Sequence, residues 1–287
     1  MITRTWYWRG WRVRYSCGGL DSGLPPLILV HGFGAAIGHW RKNQGILAGD
    51  RRVYAIDLLG FGGSSKAAVS YSPSIWVEQL YSFWREVVGV PTVVVGNSIG
   101  AMVGILAAVK YSEMIVGIVG ISIPDLSELE AMVPGFVRPI KRSLEMLVGG
   151  LFSRPVFYLV RQPRVISWVL GNLVYGDSSQ VDWELVELIA APARESRAST
   201  AFSYLNRGMA GASANVRGAI GQLSCPLLIL WGTRDRVIPP QLAVKLAAAN
   251  SRAKLVWLEG AGHCPQDEVP ERVNQEILTW LGSLSSV

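Results

Sequence analysis

Short, mostly apolar runs without strict polar alternation recur along the chain: Leu27–Val30 (LILV), Val53–Ile56 (VYAI), Thr92–Val95 (TVVV), Ile115–Ile121 (IVGIVGI), Leu227–Trp231 (LLILW) and Leu255–Leu258 (LVWL). Each is closed within a few residues by Gly, Pro, His or Asp. Such runs are what strands buried on both faces of a mainly parallel sheet require. The stretches 35–49, 74–88, 98–111 and 240–250 have the length and spacing of amphipathic helices. Strand alternating with helix predicts an α/β fold, a mostly parallel central sheet flanked by helices. Near the N-terminus aromatic residues alternate with basic ones around Gly10 and Gly18-Gly19, which predicts an antiparallel hairpin at one sheet edge.

The rhythm breaks after the fourth run. Between about 124 and 222 no strand-like run occurs, while Leu144, Leu147, Val148 and Leu151 fall at helical spacing. A structureless loop of that length is improbable inside a folded domain. The expected organisation is a core domain of residues 1–123 and 223–287 with a helical lid, 124–222, inserted between two strands. Residues 136–164 carry six basic residues, Arg138, Lys141, Arg142, Arg154, Arg161 and Arg164, and a single acid, Glu145. Pro134, Phe136, Leu144, Met146, Leu151, Phe152, Phe157, Trp168 and Leu170 are candidates to line an apolar tunnel, or to form the lid's own core.

Composition narrows the class. Of 287 residues 50% are hydrophobic and 17% charged, which supports a large buried core and argues against disorder. No window holds the roughly 18 consecutive apolar residues of a membrane span. The opening MITRTWYWRGWRVRY lacks the apolar run and small-residue cleavage site of a signal peptide. Cys17, Cys225 and Cys264 are odd in number and far apart, so neither a zinc site nor a disulfide framework is expected, and a reducing, cytoplasmic setting fits. The net charge of +6 suits an anionic surface, and no nucleic-acid-binding motif accompanies it.

The chemistry concentrates at run ends. Residues 93–102, VVVGNSIGAM, pass from strand to helix through Gly-x-Ser-x-Gly with no polar loop. A serine on so sharp a turn projects above the sheet, and Gly96 and Gly100 leave room for the two backbones to cross. The new helix also directs free N–H groups at the place where negative charge would develop. Three histidines are available as its base: His31, His39 and His263. His263, in LEGAGHCPQDEVPE after the last run, stands where α/β sheets place their chemistry. His31 opens a glycine-rich turn, and His39 reads as packing or surface. Asp235, in GTRDRVIP, is the first candidate for the carboxylate that orients the base. Asp125 is the alternative acid, and Asp57 reads as shaping a turn. HGFG, with Gly32 and Gly34, lets backbone approach a ligand closely; the amides of Phe33 and Ile99 are the expected oxyanion donors.

Together HGFG, DLLGFGGS, GNSIG, GTRDRVIP and GAGHCPQDEVPE resemble the α/β-hydrolase superfamily across about 25–122 and 223–283. HGFGAAIGHWRKN, YAIDLLGFGGS and VVVGNSIG look most like its cyanobacterial and plastid branch related to pheophytinase and chlorophyll dephytylase. The resemblance implies Ser98 as nucleophile, His263 as general base and then acid, Asp235 as orienting acid, and no metal or organic cofactor. It further implies a lipophilic ester substrate, such as the phytol ester of a chlorophyll pigment. The Arg/Lys bias of 136–164 and the Trp/Arg-rich N-terminus suit peripheral contact with an anionic, thylakoid-type membrane surface. A serine at the elbow argues against the epoxide- and halide-processing relatives, which use Asp there. General lipases and esterases, C–C bond hydrolases and non-catalytic binding proteins on the same fold remain alternatives.

Overall fold

A computed structural model of the chain describes residues 1–133, 153–209 and 214–284. Eight strands form one sheet: β1 (Ile2–Trp8), β2 (Trp11–Gly18), β3 (Leu27–Val30), β4 (Val53–Ile56), β5 (Thr92–Asn97), β6 (Ile115–Ile121), β7 (Leu227–Gly232) and β8 (Ala253–Leu258). Their spatial order is β1-β2-β4-β3-β5-β6-β7-β8. The pairs β1/β2 and β2/β4 are antiparallel. All others are parallel. The chain thus has the α/β-hydrolase architecture: a mostly parallel sheet with helices on both faces.

The absence of alternation in the apolar runs has its cause in two-sided burial. Ile28, Val30, Val94, Ile118 and Ile229 enter a core layer shared with the helices Pro73–Phe83 and Ile99–Lys110. Their neighbours Leu27, Leu29, Val93, Val95, Val119 and Leu228 enter a second layer with Trp40, Ile277 and Trp280 on the opposite face. Side chains pointing to either side of these strands therefore meet apolar partners. The N-terminal hairpin turns on Arg9 and Gly10, at φ of 50° and 80°. Two left-handed residues give a turn whose twist matches that of the flanking strands.

The helix expected at 74–88 forms with one local change, and the one expected at 35–49 does not. Pro73–Phe83 continues through Trp84–Val88 as a widened π turn and stops at Gly89 (φ 74°). The stretch 35–49 instead makes two short turns, Ile37–Trp40 and Gln44–Leu47. Gly38, Gly45 and Gly49 weaken helix there, and the Ile37 amide donates to Asp57 Oδ1 at 2.7 Å.

Between β6 and β7 the described residues form helices, among them Leu126–Met132, Ser153–Val160, Pro163–Val169, Trp183–Ala193, Ala198–Met209 and Val216–Gly221. Of the tunnel candidates, Pro134, Phe136, Leu144, Met146, Leu151 and Phe152 lie outside the described residues, as do Arg138, Lys141, Arg142 and Glu145. Phe157 and Leu170 are buried, whereas Trp168 is exposed. Among the described residues no helix is long and apolar enough to cross a membrane.

Candidate active site

The carboxyl ends of β3, β5, β7 and β8 lead into His31, Ser98, Asp235 and His263, gathered on one edge of the sheet as strand-end chemistry in α/β folds demands. Ser98 joins β5 to the helix Ile99–Lys110 with φ 53° and ψ −122°, a conformation a side-chain-bearing residue adopts only under strain. Its neighbours hold it there. The Ser98 amide donates to Ile121 O at 2.9 Å, and its carbonyl accepts from Ala101 and Met102 at 2.9 and 3.1 Å. A methyl group at Gly100 would collide with the Val30 carbonyl, and one at Gly96 with the backbone of Gly100 and Ala101. Both glycines are therefore needed for the crossing of strand and helix.

Asp235 and His263 form a buried pair, with Asp235 Oδ2 2.9 Å from His263 Nδ1. The carboxylate's other oxygen accepts from the amides of Val237 and Ile238, both at 2.9 Å. These two bonds fix the carboxylate plane and leave Oδ2 for the imidazole. With Nδ1–H given to Asp235, Nε2 is the ring's free lone pair, which is the tautomer a general base needs. Asp125 is committed elsewhere: Oδ1 caps the helix Leu126–Met132 through Glu128 N at 2.9 Å, and Oδ2 accepts from Arg217 N at 2.7 Å.

The HGFG turn lies directly beside the serine. A methyl at Gly32 would stand 3.3 Å from Ser98 Cβ and 2.8 Å from Asn97 Oδ1. His31 braces this turn. Its Nε2 accepts from Leu58 N at 3.0 Å, so Nδ1 carries the proton and donates to Gly32 O at 2.7 Å. Full burial holds the His31 pKa below its ordinary value, which keeps the ring neutral in this role. Asp57 is buried as well, and desolvation raises its pKa. It accepts from Ile37 N and Gly63 N, both at 2.7 Å, and so ties the HGFG segment to the DLLGFGGS loop. Phe33 itself has a half-exposed ring resting on Phe61, with centroids 5.2 Å apart.

Two residues of the site carried no role in the sequence reading. Asn97 donates from Nδ2 to the carbonyl of His263 at 3.1 Å, linking the serine turn to the histidine loop. Glu268 accepts from the amides of Gly262 (3.0 Å), Cys264 (3.2 Å) and Gly176 (2.7 Å). Its carboxylate thus shapes the loop on both sides of His263 and binds it to Gly176, among the helices between β6 and β7. Burial raises the Glu268 pKa, and the amide donors oppose that shift. His39 is buried, with Nε2 3.2 Å from Tyr175 Oη, and Tyr175 donates onward to Asp267 Oδ2 at 2.9 Å.

Residues 27–276 match the family model described as "Alpha/beta hydrolase family". The chain belongs to this family. Among curated relatives it is 25% identical to a chloroplastic pheophytinase of Arabidopsis thaliana, over 96% of this chain and 65% of that protein. It is 29% identical to the dihydrolipoyllysine-residue acetyltransferase component of an acetoin cleaving system of Pseudomonas putida, over 91% of this chain and 64% of that protein. The chain thus spans just under two thirds of the length of either relative. Its fold is shared with the crystal structure of a membrane phospholipase A, at a TM-score of 0.80 and 23% identity, covering all of this chain and 87% of that one.

Proposed function

We propose that this α/β-hydrolase cleaves a carboxylic ester through an acyl-enzyme, with Ser98 as nucleophile, His263 as general base and acid, and Asp235 as the residue that orients His263. The observation that carries the reading is the 2.9 Å bond between Asp235 and His263 on the edge where strained Ser98 stands. In the first step His263 Nε2 takes the Ser98 proton while Oγ attacks the ester carbonyl. The amides of Phe33 and Ile99 receive the oxyanion, and His263 returns the proton to the departing alcohol. Water, deprotonated by His263, then releases the acid and restores Ser98. The chemistry is complete with side chains and backbone amides.

The substrate proposed is lipophilic, and a phytol ester of chlorophyll or pheophytin is its most specific form. The motif resemblance and the pheophytinase relative support it. The segment 124–222, whose described residues are largely helical, is proposed as the lid over the site, and the ion pair at 3.3 Å between Lys66, just after the DLLGFGGS loop, and Glu195 of that segment supports it. The test is a substrate panel. Phytol release from chlorophyll and pheophytin, followed chromatographically, should exceed turnover of short p-nitrophenyl esters. Turnover of short esters without phytol release removes the pigment ester and leaves the esterase; hydrolysis of neither removes the ester reading.

A further inference from the structure

We infer that the segment 153–175 presents a docking face for a membrane carrying anionic lipids, and that this face, not the N-terminal ribbon, delivers the protein to its substrate. The inference rests on the reading of the chain as a hydrolase of lipophilic esters.

The two surfaces differ in where their aromatic rings point. The ribbon β1–β2 is rich in Trp and Arg, yet its rings serve the core. Trp8 is buried, and Trp6 packs edge-on against Phe83 at 5.5 Å while its Nε1 donates to Glu86 at 3.0 Å. Of the ribbon's aromatic residues only Tyr7 is largely exposed. The helices Ser153–Val160 and Pro163–Val169, joined at Arg161-Gln162, do the reverse. Phe157, Ile166 and Leu170 turn inward, while Tyr158, Leu159 and Trp168 are 48%, 63% and 60% exposed, followed by Leu173 at 46%. Helices with apolar residues on the outer as well as the inner side need a second apolar phase. At eight and seven residues they are too short to span a bilayer and suited to lie in its interface, where Trp and Tyr rings are favoured.

Charge identifies that phase. Residues 153–176 contain Arg154, Arg161 and Arg164 and no Asp or Glu. Arg161 lies over the Tyr158 ring, 4.3 Å from its centroid, so cation and exposed aromatic share one edge. Among the described residues no carboxylate pairs with any of the three arginines. The neighbouring helix Trp183–Ala193 adds Glu184 and Glu187, and Glu187 is already paired with Arg194. Basic groups beside exposed rings complement lipid phosphates. The face also runs directly into the site. Asn172 O accepts from Arg236 at 2.8 Å, and Val174 O accepts from the His263 amide at 2.7 Å. The backbone of the docking segment thus holds the loop that carries His263.

The experiment is vesicle flotation of the full chain with phosphatidylcholine alone and with phosphatidylcholine mixed with phosphatidylglycerol, at low and high salt. A parallel assay follows hydrolysis of a soluble p-nitrophenyl ester. The protein should float with the mixed vesicles, less so at high salt, and weakly with phosphatidylcholine alone. The double variants Leu159→Ser/Trp168→Ser and Arg154→Gln/Arg164→Gln should each lose roughly tenfold or more in partitioning. The ribbon variant Tyr7→Ser should bind like the parent, and all three variants should keep soluble-ester turnover. Absence of binding, or loss confined to Tyr7→Ser, overturns the inference. So does a dimer, seen by light scattering, that Leu159→Ser/Trp168→Ser dissociates while vesicles are ignored, since the face would then belong to a second copy. Vesicle binding with hydrolysis of neither the soluble ester nor a phytol ester would leave the docking face standing and remove the ester-hydrolase reading; hydrolysis without vesicle binding would do the reverse.

Discussion

Asn97 Nδ2 donates to the carbonyl oxygen of His263 at 3.1 Å, so the residue before Ser98 holds the loop that carries His263. Asn97 is buried, and the contact joins the end of β5 to the loop after β8 across β6 and β7. Replacing it by Ala strands a buried carbonyl and frees the loop. Asn97→Ala should lower stability by about 1–3 kcal/mol, measured by urea unfolding. It should also reduce kcat on a soluble ester more than it raises KM. Unchanged stability and kcat would show that the bond does not hold the loop.

Asp235→Asn tests the tautomer argument. The amide oxygen can still accept from Val237 and Ile238, but the NH2 would then face His263 Nδ1. A donor there favours the ring with its proton on Nε2, which cannot accept from serine. A fall of roughly 10⁴ in kcat is expected, with the melting temperature little changed. Asp125→Asn, which keeps the helix-capping oxygen, should retain most of its activity because Asp125 serves Glu128 and Arg217. Equal losses in the two variants would contradict the assignment.

Gly100→Ala probes the crossing of strand and helix. The added methyl would drive into the Val30 carbonyl, a backbone group unable to step aside. The variant should be destabilised by about 3 kcal/mol or fail to fold, whereas Ala at Gly45, where the added methyl meets nothing, should be tolerated. A folded, active Gly100→Ala protein would mean the helix can retreat from β3.

Much of this scaffold is legible in the sequence because two-sided burial leaves a direct trace. The runs at Leu27, Val53 and Ile115 coincide with β3, β4 and β6, and the strands at Thr92, Leu227 and Leu255 extend only one or two residues further. The proposed site residues share the trace, since each sits at a strand end. The misread stretch 35–49 shows the limit: its apolar spacing is helical, but the Asp57 carboxylate, twenty residues on, takes the Ile37 amide. Asn97 and Glu268 were illegible for the same reason. Asn97 meets a carbonyl 166 positions away, and Glu268 meets the amide of Gly176, 92 positions away. Neither contact leaves a periodicity or a local motif.

His39 sets an acid limit on the fold. Tyr175 spends its proton on Asp267, so His39 Nε2 must donate to the tyrosine oxygen, and Nδ1 is buried with no partner among the described residues. A proton there would have no acceptor; burial lowers the His39 pKa to about 3. In the unfolded chain the ring protonates near its ordinary value of 6.5. The unfolded state therefore binds the extra proton as pH falls from 6.5 towards 3, and stability should drop through that window by as much as roughly 1.4 kcal/mol per pH unit. In His39→Gln, whose amide can still reach Tyr175, the acid limb of a Tm-against-pH curve should flatten. An unchanged limb would place the acid sensitivity elsewhere.

The central claim is that the turn in VVVGNSIGAM makes Ser98 a nucleophile for His263 and Asp235 to activate. Intact-mass analysis after treatment with a fluorophosphonate tests it most directly. One covalent adduct should form, peptide mapping should place it on Ser98, and Ser98→Ala should take up none, with hydrolysis falling by about 10⁴–10⁶. An unlabelled protein, or a label on another residue that survives in Ser98→Ala, would contradict the account.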